Sequence, residues 1–363
     1  MVTKLQLGLL AFAGTVALVQ GLAHLARRYG LVDIPDHRKD HARETPLVGG
    51  IAIFGGLLLA ALAAEGLLVQ RDALFIGLGL LLLTGMIDDR GGLTPAVRLS
   101  IQVAAALIMV LGGGVQLDNL GNLFGAGDVH LGAWSVPMTV FAVVGVINAM
   151  NMIDGADGLA GGVALIALLI FFAFSFSSDH SRGTLLVLLS FGVAAFMVFN
   201  ARTPWRSRAA VFLGDAGSTM LGFALAWYAV ELASVREVFT PITAVWILGI
   251  PLMDTVSLMI RRMFKGQSPF TPDREHLHHI LQRAGYSHGQ SVAVIWLLTL
   301  LMAAVGVGGW WLDVPEYAMF YAFMTLFALY FHGMRHAWKL TKLIRRAHGG
   351  QQAPAPEPKP NQD

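Results

Sequence analysis

The sequence predicts an all-α polytopic integral membrane protein of about eleven transmembrane helices, with a periplasmic N-terminus and a cytoplasmic C-terminus. Three observations carry this prediction. Hydrophobic residues occupy 55% of the 363 positions and charged residues 13%, more apolar surface than one soluble domain can bury. Apolar runs of bilayer length recur along the whole chain. Lys and Arg gather in alternate loops, all but Lys4, Arg71, Arg182 and Arg236 falling on one side, which the positive-inside rule assigns to the cytoplasm.

The runs lie at roughly 5–25, 48–69, 73–88, 96–113, 135–153, 158–176, 184–201, 211–230, 241–261, 291–311 and 315–334. The first follows Lys4, ends at Arg27 and Arg28 and lacks a small-residue cleavage pattern, so it reads as a retained span rather than a signal peptide. Several runs are short, and snorkelling flanks are expected to match them to the bilayer. Gly85, Gly112 to Gly114, Gly161 and Gly162 sit in or beside spans, where small residues allow close helix packing. Residues 1–334 therefore form the membrane domain. Residues 335–348 form a basic interfacial helix, with Trp338, Leu340, Leu343 and Ile344 interleaved at helical spacing, and the Pro-rich 349–363 a disordered tail. No cysteine is present, which excludes disulfides, thiolate metal sites and catalytic thiols.

Ionisable groups at membrane depth are costly and mark function by default. Asp88 and Asp89 in "GMIDDRGGLTPAVRL", Asp154 and Asp157 in "NAMNMIDGADGLAGG", Asp215 in "VFLGDAGS" and Asp254 in "GIPLMDTV" stand out. All but Asp254 fall at cytoplasmic ends of spans. A transporter would place its acids near the midplane, so their position favours a site fed from the cytosol and the inner leaflet. Adjacent acids repel unless a cation intervenes, and without neighbouring His or Cys the donors are hard oxygens, which suits Mg²⁺ or Mn²⁺. The competing reading of Asp88 and Asp89 is an ordinary solvated helix end.

Asn148, Asn151, Asp154 and Asp157, three residues apart, make a slowly rotating polar stripe able to donate to and accept from a nucleotide or sugar. Gly155, Gly158, Gly161 and Gly162 are expected to leave room for a ligand. The longest cytoplasmic loop holds "KGQSPFTPDREHLHHILQRAG". Zinc is disfavoured because His276, His278 and His279 are crowded and lack a fourth ligand. With Lys265 and Arg274 they read as a cationic cradle for phosphate. Acids, a divalent ion and a basic cradle together point to phosphoryl transfer at a membrane surface.

These motifs, together with "GLVDIPDHRKDHARETPLVGG" at 30–50, resemble in order and spacing the polyprenyl-phosphate N-acetylhexosamine-1-phosphate transferases over nearly the whole chain. The likeness is greatest to the bacterial branch using UDP-N-acetylglucosamine and undecaprenyl phosphate. The peptidoglycan branch usually has a Lys three residues after its Asp pair and three consecutive His, where this chain has Gly92 and "HLHH". The resemblance implies a multi-pass enzyme of the bacterial inner membrane with its site facing the cytoplasm. Its implied partners are UDP-GlcNAc, undecaprenyl phosphate and membrane lipids, with no nucleic acid, and it implies a homodimer.

It further implies that Asp215, with Asn151 and Asp89, holds Mg²⁺ (or Mn²⁺), and that Asp88 and Asp89 orient or deprotonate the lipid phosphate. Asp154 and Asp157 would tune catalysis beside the nucleotide-sugar, and His279 would act with them. Asn148, Asn151, Asn200, Arg274, His276 and His278 would contact substrate. A sister transferase using another UDP-sugar or polyprenol is the nearest alternative. A secondary transporter leaves the one-sided acids unexplained. An intramembrane aspartyl protease needs two opposed acids and no basic loop.

Overall fold

The computed structural model describes residues 3–33, 44–175, 180–268 and 275–336. Among the described residues the protein is an all-helical, multi-pass membrane protein apart from one antiparallel pair of two-residue strands. Helix α1 (Lys4–Tyr29) starts in a capping box between Thr3 and Gln6 and stops at Gly30, whose φ of 72° suits a left-handed cap. Strand β1 (Val32–Asp33) then pairs antiparallel with β2 (Thr45–Pro46), Val32 opposite Pro46. There follow α2 (Gly49–Leu62), α3 (Leu67–Gln70), α4 (Asp72–Gly91) and α5 (Pro95–Leu107), the last running into a π turn at Ile108–Gly112. Next come α6 (Ser135–Ile153), α7 (Leu159–Ser175), α8 (His180–Asn200) and α9 (Gly214–Val230), which ends in a π turn at Glu231–Val235. The chain continues through α10 (Pro241–Ile247), α11 (Gly249–Phe264), α12 (Leu277–Arg283), α13 (His288–Trp311) and α14 (Glu316–Arg335).

Each predicted run coincides with a helix. Among the described residues, seven helices are long and apolar enough to cross a membrane, or eight if the bent pair α10 and α11 is one span. Helix α2, at 14 residues, and α7, at 17, are apolar but shorter. Two runs depart from the simple expectation. The run at 48–69 ends its helix at Leu62 and turns through Gly66, at φ 72°. The run at 241–261 breaks at Leu248 with an 80° bend. Pro251 has no N–H to give to the carbonyl four residues back, so the helix cannot run unbroken through Ile247. The basic stretch beyond His336 and the tail lie outside the described residues.

Helix α9 is the hub. Phe223, Leu225 and Tyr228 are fully buried, and α2, α4, α6 and α7 pack around it. A helix apolar on every side needs such an all-round shell. Contact between α4 and α9 is backbone-close, since a Cβ on Gly85 would lie 2.3 Å from Ala216 Cα. Gly50 of α2 meets Gly217 in the same way. At the end of α9 far from the acids, Arg71 pairs with Glu231 at 2.8 Å, and Trp227 donates to the same carboxylate at 3.2 Å. The cluster binds the start of α4 to the π turn. Packing against α9 thus brings the C-termini of α4 and α6 and the N-terminus of α9 to one end of the bundle.

The glycines of the Asn/Asp segment do not keep space for a ligand. A Cβ on Gly155 would strike His278 at 2.7 Å, one on Gly161 would meet Met197 Sδ at 2.6 Å, and one on Gly162 would meet Trp296 Nε1 at 2.1 Å. Gly158, at φ 83°, abuts Ala201. Protein side chains and backbone occupy the room that the missing Cβ atoms leave.

Candidate functional site

Where those helix ends meet, a cavity of about 1080 Å³ opens. Its floor carries Asp88, Asp89, Asp154 and Asp215, and one wall carries Arg202, Arg206 and Arg208, with Arg27 and His279 also lining it.

Asp89, in the last turn of α4, accepts from the Asp215 amide at 2.8 Å and from the Ala216 amide at 3.2 Å. It therefore caps the N-terminus of α9 from a neighbouring helix, satisfying amides that have no intrahelical partner. Gly214 makes this possible. Its φ is 75°, and a Cβ there would lie 2.6 Å from Asp89 Oδ2. Asp88 is held by Arg98 Nε at 2.7 Å and accepts from the Leu93 amide at 2.6 Å. Asp215 accepts from Asn151 Nδ2 at 2.7 Å, and Asn151 also donates to Ser218 Oγ at 3.0 Å.

Asp154 follows the last residue of α6 and is half-buried. Burial, then the neighbouring Asp215, Asp89 and Asp157 charges, push its carboxyl up to about 8, so without a nearby cation it keeps its proton at neutral pH. Asp157 is turned to the basic wall, accepting from Arg202 Nε at 2.7 Å and from the Ala209 amide at 3.1 Å. Its own amide donates to His288 Nε2 at 3.1 Å. Asn200 lines the cavity but has both ends of its amide engaged, accepting from the Gly158 amide at 2.7 Å and donating to the Val211 carbonyl at 2.9 Å.

Four predicted residues sit elsewhere. Asn148 donates to Gln102 at 2.7 Å, which ties α6 to α5, and does not line the cavity. His276 is buried against Asp254, and His278 is buried against Gly155. Burial, then the adjacent His279 and His276, push His278 down to about 3, so it is neutral at pH 7 and adds no charge to a phosphate cradle. Lys265 pairs with Glu275 at 2.7 Å and lines a separate cavity of about 460 Å³. Arg274 lies outside the described residues. Of the expected cradle, His279 is the member placed in the large cavity.

Sequence reasoning missed the arginine wall. "ARTPWRSR" puts three Arg within seven residues, a signal read for membrane orientation alone. The segment is a tight turn in which Thr203 and Arg206 exchange backbone hydrogen bonds of 2.8 and 3.0 Å. Arg206 donates to the Val198 carbonyl and lies over the Phe199 ring at 5.7 Å. Arg208 is exposed and makes no hydrogen bond or ion pair among the described residues.

The donor set also tests the expected divalent ion. Among the described residues no three His, Cys, Asp or Glu side chains form a ready metal cage. Crowded carboxylates without such a cage fit Mg²⁺ or Mn²⁺, which take one or two carboxylates and complete their shell with phosphates and water. They do not fit structural zinc, whose ligands close the site themselves.

The sequence profile of glycosyl transferase family 4 matches residues 73–233. The undecaprenyl-phosphate alpha-N-acetylglucosaminyl 1-phosphate transferase of Escherichia coli strain K12 is 36% identical over 325 residues, covering 89% of this chain and 88% of the relative. The protein of the same name from Haemophilus influenzae is 36% identical over 341 residues, covering 92% and 95%. That from Yersinia pestis is 37% identical over 328 residues, covering 89% of each.

This chain belongs to glycosyl transferase family 4. The segment matched to family 4 contains all four floor acids and the arginine wall, whereas α12 and its histidines follow it. The family 4 relatives nevertheless align over about nine-tenths of the chain, so their likeness extends well beyond the matched segment.

Proposed function

We propose that this chain transfers N-acetylglucosamine-1-phosphate from UDP-GlcNAc to undecaprenyl phosphate, giving undecaprenyl-diphosphate-GlcNAc and UMP. This is the first membrane step of glycan synthesis of the O-antigen or enterobacterial common antigen type. The observation that carries the reading is the cavity itself, with carboxylates on its floor and arginines on its wall at one end of a membrane bundle. An acceptor confined to the bilayer and a donor dissolved in the cytosol can both reach such a place. In this reading the chain spans the bacterial inner membrane eleven times as a homodimer, N-terminus in the periplasm, with the cavity facing the cytoplasm.

An oxygen of the lipid phosphate attacks the β-phosphorus of the donor. The bond from that phosphorus to the bridging oxygen breaks, and the oxygen leaves with UMP. The bond between the sugar and its phosphate is untouched. The lipid phosphate is largely ionised at neutral pH, so alignment matters more than deprotonation. Asp88, itself steadied by Arg98, aligns it. Asp215, with Asn151 and Asp89 beside it, would hold Mg²⁺ (or Mn²⁺), which when bound would neutralise charge on the transferred phosphoryl oxygens. Asp157 aims Arg202 at the donor, and Arg206, Arg208 and His279 receive the diphosphate. Asp154 would add negative charge beside that ion, and Asn200 shapes the nucleotide side of the cavity.

Purified protein given UDP-GlcNAc labelled in the sugar and undecaprenyl phosphate is expected to yield labelled lipid and an equal amount of UMP, with EDTA abolishing both. UDP-GalNAc and UDP-MurNAc-pentapeptide are expected to compete poorly. Folded protein that makes no lipid product from any donor contradicts the reading. Arg208→Ala is expected to raise the KM for UDP-GlcNAc about tenfold, the scale of one charge-assisted contact, with little change in stability. An unchanged KM removes Arg208 from the donor site.

A further inference from the structure

Asp254 is a buried carboxylate that the proposed chemistry does not use. It lies on α11, and three groups converge on it. Tyr330 Oη, from α14, donates at 2.7 Å. The Leu277 amide, in the first turn of α12, donates at 3.2 Å. His276 Nδ1, at the N-cap of α12, lies 2.8 Å from Oδ2. Asp254 and His276 are 2% and 8% exposed, so water contributes little to either. A carboxylate buried this deeply persists because donors surround it, and each donor is fixed in return. A carboxylate accepts only, so Nδ1 carries the proton and the imidazole tautomer is set.

From this anchor α12 carries two further histidines. The rings of His276 and His278 stack at 5.8 Å, and those of His278 and His279 lie 4.1 Å apart. His278 packs on Gly155, beside the half-buried Asp154. Of these three histidines, His279 is the one that lines the large cavity.

We infer that Asp254, Tyr330 and His276 form a clamp that fixes α12 to the membrane bundle, and that His276 is a positioning residue acting through Nδ1 rather than a substrate ligand. The inference rests on the transferase reading, because its consequence is the placement of His279 against the donor diphosphate. The clamp spans α11, α12 and α14, so a change in any member displaces His279 without touching the cavity.

The side chains of Asn and Gln separate this role from substrate binding. The Asn amide nitrogen falls near the position of imidazole Nδ1, and that of Gln near Nε2. Transferase rate is measured for purified wild type, His276→Asn, His276→Gln and Tyr330→Phe, with thermal melting of each. Wild-type turnover tests the transferase reading separately, and the ratios between variants test the clamp.

His276→Asn is expected to stay within about threefold of wild type, while His276→Gln falls about thirtyfold in kcat. Tyr330→Phe is expected to lower kcat about tenfold with the KM for undecaprenyl phosphate unchanged. Retained activity in the Gln variant with loss in the Asn variant would show that Nε2 is the working atom and overturn the inference. Equal effects of Asn and Gln, or an unaffected kcat in Tyr330→Phe, overturn it too. A loss that tracks melting temperature across the variants assigns these residues to stability alone and likewise overturns it.

Discussion

Asp215→Asn is expected to abolish turnover, with a loss of at least about a thousandfold, while the protein folds as before. The substitution keeps size and shape and lets an amide oxygen accept from Asn151, which now donates to Asp215 at 2.7 Å. It removes one negative charge from the cavity floor at the place where a divalent ion and a phosphoryl group are to meet. Deleting one electrostatic contact to a transition state costs roughly 100- to 1000-fold in other enzymes, and losing an ion as well adds to that. The measurement is initial transfer rate across a Mg²⁺ titration, with melting temperature as the control for folding. Normal turnover in Asp215→Asn removes the residue from the mechanism.

Gly214→Ala is expected to lower both stability and turnover. The backbone at Gly214 has φ 75°, where an L-residue costs about 1–2 kcal/mol. The new Cβ would also lie 2.6 Å from Asp89 Oδ2, and that carboxylate cannot swing aside without releasing the Asp215 and Ala216 amides. Strain and loss of the cap should together cost roughly 2–4 kcal/mol. Because the cap fixes Asp215, turnover should fall at least about a hundredfold. Melting temperature and transfer rate check the two halves of the prediction. Gly91→Ala, where the added Cβ meets nothing within 4 Å, serves as the control.

These two predictions show what the sequence could and could not reveal. The acids were legible because charge at membrane depth is rare, and the apolar runs marked the helices that carry them. The part played by Asp89 was not legible, since it caps a helix that begins 125 positions later, and no local pattern encodes a cap supplied across the bundle. The Asn/Asp stripe shows the converse. Three residues of helix turn a side chain by about 60° short of a full circle, so four such positions drift by about half a turn. Asn148 accordingly faces α5 while Asn151 faces Asp215, and past Ile153 the helix has ended, leaving Asp157 free to meet Arg202.

The glycines and histidines mislead for related reasons. A glycine announces close approach but not what approaches, and at Gly155 the neighbour is His278 rather than a ligand. "HLHH" presents three similar imidazoles, but the short α12 sends them to different surroundings, one to Asp254, one into the interior and one to the cavity. The break at Leu248 was legible in principle from Gly249 and Pro251, though a continuous apolar run masked it. The arginine wall was present in the sequence as charge, and its use was hidden because basic loops also serve to orient membrane proteins.

In the proposed reaction a phosphoryl group moves together with the sugar. This is tested most directly with UDP-GlcNAc carrying ³²P at the β-phosphorus, incubated with purified protein, undecaprenyl phosphate and Mg²⁺. The label is expected in the lipid together with GlcNAc, with unlabelled UMP as the nucleotide product. Label retained in released UDP would mean that the sugar alone is transferred and would overturn phosphoryl transfer.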